Sequence, residues 1–96
     1  MTKISKAQMR RLMSVGSKWK VHWPWAPNKP AQERTILSWH SWGALVGRTN
    51  GRTPSRFTID PTDTIEGDES GAISIVEHYR DIPNVVMVYT PEVEES

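Results

Sequence analysis

Apolar residues along this chain recur at helical spacing only near its start, and afterwards mostly at every second position. In the first stretch Met9, Leu12 and Met13 fall on one stripe, which predicts a short helix over residues 5–15. Ser5 with Gln8 fits a capping box, in which each side chain satisfies an orphan backbone donor. Gly16 stands where a left-handed C-terminal cap is wanted. Lys6, Arg10 and Arg11 lie off the stripe. A helix this short must dock on something to be stable.

Period two takes over at residues 18–25, KWKVHWPW. Trp19, Val21, Trp23 and Trp25 point one way, and Lys18, Lys20, His22 and Pro24 the other, as in a half-buried strand. Pro24 cannot donate to a ladder, so the strand ends there or lies at an edge. Pro27 and Pro30 mark a surface loop. Residues 33–39 read as a second strand, with a turn or bulge at 40–43 where the alternation breaks. Residues 44–49 and 52–59 flank Asn50-Gly51, a strong hairpin signal, with Phe57 and Ile59 facing the core. A polar, acidic connection follows from Asp60 to Gly71. Residues 72–77 and 85–89 are further strands, joined by a loop that turns at Pro83-Asn84. Residues 90–96 are expected to fray.

The expected fold is therefore mainly β (α+β): a small antiparallel β-barrel or bent sheet, SH3-like or OB-like, of five or six strands with one short N-terminal helix. A two-layer sheet with the helix covering one face is the alternative. The 96 residues make one domain, with residues 18–89 as its β core. There is no cysteine, so neither a disulfide nor a thiolate enters the picture. The first residues hold no apolar run of signal-peptide length and no segment approaches a membrane span, so a cytoplasmic protein with no membrane partner is expected.

Charge changes the picture most. The net charge is +1, but residues 1–60 carry eleven Lys/Arg against Glu33 and Asp60, a balance of +9. Residues 61–96 carry Arg80 against nine acidic residues, a balance of −8. Either the halves neutralise one another across the domain or one of them faces an electrostatic partner. All five Trp lie in the basic half. Cations interleaved with aromatics suit nucleic acid, because charge tracks phosphate while rings stack on bases. The expected contacts are Arg10, Arg11, Lys18, Lys20, Arg48, Arg52 and Arg56, with Trp25 or Trp42 as the exposed stacking ring.

Catalytic chemistry has less to stand on. No G-x-S-x-G, Walker or dinucleotide motif occurs, and His22, His40 and His78 stand far apart in sequence. A non-enzymatic binding module without cofactor or metal is expected. The rival to nucleic acid is a protein partner, met through Trp23 and Trp25 or through the acidic residues Asp63, Glu66, Asp68 and Glu69; a homodimer is a further option. In overall style the chain resembles the small accessory proteins that bacteriophages encode: short, cysteine-free, without catalytic motifs and rich in Trp. That resemblance implies a protein that binds a host or viral macromolecule, often to inhibit it.

Overall fold

The computed structural model describes residues 2–48 and 53–92. In chain order they form β1 (Thr2–Lys3), α1 (Lys6–Leu12), β2 (Lys18–His22), β3 (Gln32–His40), β4 (Gly43–Arg48), β5 (Ser55–Thr58), β6 (Thr64–Gly67), β7 (Ile73–Tyr79) and β8 (Ile82–Pro91). The protein is mainly β with one short helix. The eight strands make one open antiparallel sheet in the order β1-β6-β7-β8-β2-β3-β4-β5, where five or six strands and a barrel were expected.

The sheet is two meanders side by side. Strands β2 to β5 run consecutively across one half, β6 to β8 across the other, and β8 meets β2 at the seam through Trp19↔Pro91 and Val21↔Tyr89. The sheet curls strongly. Phe57 of edge strand β5 stacks on Tyr89 of β8 with ring centroids 4.6 Å apart, although a flat sheet would separate the two strands by about 19 Å. The helix packs into the concavity, and Met9 and Met13 are fully buried in one cluster with Trp19, Ile36, Phe57, Ile75 and Tyr89.

The capping box forms as expected, with Ser5 Oγ accepting from Gln8 N at 3.1 Å and Gln8 Oε1 from Ser5 N at 2.9 Å. The helix stops at Leu12, earlier than expected, because the following residues are drawn into the sheet. Gly16, at φ +91°, donates to Ile36 O, and Ile36 donates to Ser17 O. Leu12 does not join the buried stripe and is exposed.

Four further corrections have local causes. The turn expected at 40–43 forms at residues 41–42, and the strand before it carries an additional, unexpected bulge at Leu37, between Ile36 and Ser38. The bulge lets Ile36 and Trp39, three apart, face the core together. β6 arises inside the acidic connection because Ile65 is buried opposite Ile75. The β7–β8 turn is Arg80-Asp81, at φ 50° and 63°, not Pro83-Asn84. Pro83 sits in the strand there, beyond the reach of β6 and β2, where its missing donor breaks no outer ladder. Finally, the segment expected to fray is paired through Pro91, and Glu92 N donates to Lys18 O at 3.1 Å. Asn50-Gly51 and residues 93–96 lie outside the described residues.

Burial pushes the Tyr89 phenol well above its ordinary value of 10.0. Above pH 10 the unfolded chain then releases a proton that the folded chain keeps, so stability falls as pH rises, by up to about 1.4 kcal/mol per unit. Urea midpoints measured upward from about pH 9 should show this decline, and Tyr89→Phe should flatten it. An unchanged slope in the variant would assign the decline to other groups.

Candidate nucleic-acid interface

The turn from β3 to β4 brings three of the expected contact residues together. His40 and Trp42 stack with centroids 4.9 Å apart and planes 5° from parallel. The Arg56 guanidinium lies 5.1 Å from the Trp42 ring. Arg10 reaches across from the helix, where its Nη2 donates to His40 O at 2.8 Å and its guanidinium lies 5.6 Å from the Trp39 ring. Trp39 is itself fixed, since its Nε1 donates to Met13 O at 2.9 Å. Ser38 Oγ and His40 Nε2 are 2.8 Å apart. A recess of ≈ 10 Å³, room for about one water, opens between Lys6, Arg10, Trp39, Ser41 and Ile59.

Strand register explains why these residues meet. Residues directly opposed on antiparallel strands share a face, so Ser38, Leu45 and Arg56 stand in one row and His40, Gly43 and Thr58 in the next. Arg56 and Arg10 are exposed cations, each set against an indole ring. Lys18 and Lys20 are exposed on the convex face that carries Arg56, opposite Thr35 and Glu33, while Arg10 reaches the turn from the helix on the concave side. β2 and β5 are three strands apart, about 14 Å across a flat sheet. Arg11 is exposed on the helix. Lys6, Trp39 and His40 are not among the contacts that the sequence pattern predicts; the i, i+4 spacing of Lys6 and Arg10 is the signal that points to Lys6.

The remaining expected contacts are elsewhere. Arg48 ends β4 opposite Arg34, toward the other end of the sheet, and Arg52 lies outside the described residues. Trp25 follows the His22 end of β2, while Trp42 follows His40 of β3. Since Val21 pairs with Gln32, the two ends are about 25 Å apart along the strand. Trp25 is 63 % exposed, with its Nε1 donating to Val86 O at 2.9 Å. Trp23 is half-buried and carries Lys29 Nζ 4.1 Å from its ring. We expect Trp25→Ala to cost about 1 kcal/mol or less in a urea melt, one solvent-flanked hydrogen bond being lost. A loss of about 3 kcal/mol would make the ring part of the core.

Of the acidic residues, Asp63 and Asp68 are occupied locally. Asp68 Oδ1 accepts from Ser70 N at 2.8 Å and Ala72 N at 3.1 Å, and the Ser70 hydroxyl bond, with these, holds the carboxyl below its ordinary value. Asp63 Oδ2 accepts from Asp60 N at 3.0 Å. Glu66 pairs in register with Lys3, and Glu69 lines an open groove with Thr2, Ile4 and Leu12. In the strand order β2 to β5, from the basic part of the sequence, lie on one side of the β8–β2 seam and β6 to β8, from the acidic part, on the other, with β1 and its Lys3 beside β6 as the exception.

Among the described residues no three His, Cys, Asp or Glu gather to hold a metal ion, and no helix is long and apolar enough to cross a membrane. Compared with family models, with curated proteins and with solved structures, the chain matches none of them.

Proposed function

We propose that this protein is a non-enzymatic module that binds nucleic acid through its basic half and reads the phosphate backbone. The observation that carries the reading is the cluster of Arg10, Trp42 and Arg56, with His40, at the β3–β4 turn. Lys18 and Lys20 extend it along the convex face.

The tryptophans favour duplex over single strand as the partner. Trp19 is buried, Trp39 packs on Phe57 at 6.4 Å, and Trp42 has His40 and Arg56 against it. These rings position cations and leave little free face for stacking on bases, the contact that single-strand binders use. Fluorescence anisotropy with labelled duplex and single-stranded DNA at low salt tests the proposal. Binding is expected, with duplex held at least as well as single strand. No binding to either would end it.

A second reading rests on Trp25. An exposed indole fixed by a hydrogen bond in a loop with Pro24, Pro27 and Pro30 is a preorganised anchor for a protein partner. Inhibition of a host protein, which the phage-like style implies, belongs to this reading. A cytoplasmic location suits either.

A further inference from the structure

We infer that His40 is a further phosphate contact of the interface, one that engages only as the imidazolium, so that duplex binding takes up a proton from solvent. The inference rests on the nucleic-acid reading and adds a dependence on pH to it. Contacts from three sides hold this exposed residue in place. Its Nε2 is 2.8 Å from Ser38 Oγ, and its ring lies on Trp42 at 4.9 Å with the planes 5° from parallel. Its own carbonyl accepts from Arg10 Nη2 at 2.8 Å. Arg56 bears on the same indole, at 5.1 Å. The other ring nitrogen, Nδ1, has no hydrogen-bond partner among the described residues.

A neutral imidazole donates from one nitrogen only, whereas the imidazolium donates from both. Ser38 suits either form, because a hydroxyl both donates and accepts. The ring can therefore gain its proton without moving: Nε2 donates to Ser38 Oγ, and Nδ1 presents its N–H outward. Around the ring stand Arg10 from α1 and Arg56 from β5, with Lys6 and Ser41 lining the neighbouring recess. The acidic groups of the adjoining chain are Asp60 and Asp63, which follow Ile59, whose N–H donates to Trp42 O; Asp63 Oδ2 accepts from Asp60 N. A backbone phosphate set against Arg10 or Arg56 favours a further positive charge beside it and accepts from Nδ1 in a charge-assisted bond. The proton is then held more tightly in the complex than in the free protein, and linkage makes affinity rise as pH falls. Histidine suits this role, since its charge changes between about pH 5 and 8.

Duplex affinity of the full chain at constant ionic strength, followed by anisotropy from about pH 8 down to about pH 5.5, tests the contact. The wild type should bind about 3- to 10-fold more tightly at the acid end, and its log–log salt slope there should be steeper by about 0.9. His40→Phe keeps a ring on Trp42 but takes no proton, so both changes should vanish in it. They should persist in His22→Gln and in His78→Gln. Calorimetry in two buffers of different ionisation heat should show proton uptake on binding by the wild type near about pH 6.5 and none by His40→Phe. Duplex binding that ignores pH, or a pH dependence that survives in His40→Phe, would overturn the role of His40 and leave the nucleic-acid reading standing. No binding at any pH would end both.

Discussion

Gly43→Ala should destabilise the protein by about 3 kcal/mol or more, enough to unfold much of a domain this small. Gly43 opens β4 at φ +141°, a conformation that side chains rarely adopt. A Cβ built there would lie 2.0 Å from Phe57 O, and that oxygen belongs to the backbone of the neighbouring strand. Relief requires β5 to move away, yet β5 carries both Phe57 and Arg56. The variant should therefore show a large drop in urea midpoint together with loss of the near-UV signal of the stacked rings. Alanine at the open Gly16, which nothing approaches within 4 Å, faces strain alone and should cost less. Equal costs at the two positions would contradict the close packing of β4 on β5.

Arg10→Glu combined with Arg56→Glu should weaken duplex binding by at least about 100-fold at low salt, equivalent to 2.7 kcal/mol or more. Both guanidiniums are exposed, and the cation–ring contacts they lose are worth about 0.5–1 kcal/mol each, so the fold should survive. The circular dichroism spectrum checks that point. Unchanged binding in a folded variant would remove this cluster from the interface.

Much of this arrangement could be read in the chain before folding. Alternation in KWKVHWPW placed Trp19 and Val21 inward and both lysines outward. Ser5 and Gln8 announced the cap, and Phe57 and Ile59 lie in the core as their parity requires. The misses share a cause: tertiary packing outweighed local preference. β6 has one buried apolar residue in an acidic run, and only its partner Ile75 makes it a strand. The Arg80-Asp81 turn puts an arginine, which has little taste for left-handed backbone, at φ 50°, held there by the register of Tyr79 on Ile82. The site was legible as a list of basic residues but not as a place. Charge composition cannot say that Arg10 crosses thirty residues of sequence to the His40 carbonyl. Nor can it say that Arg34 turns inward, since Arg is normally an exposed residue. The strand order itself depends on the β8–β2 seam, a pairing of the last strand with the second that local pattern does not announce.

The salt dependence of duplex binding tests the central claim most directly. Four backbone contacts through Arg10, Arg56, Lys18 and Lys20 predict a log–log slope of about −3 to −4, and the loss of about two of those units in Arg10→Gln/Arg56→Gln. Over a salt range of about 50 to 200 mM, wild-type affinity should fall roughly 100-fold. A flat salt response, or the same slope in the wild type and the glutamine variant, would contradict backbone recognition through this cluster.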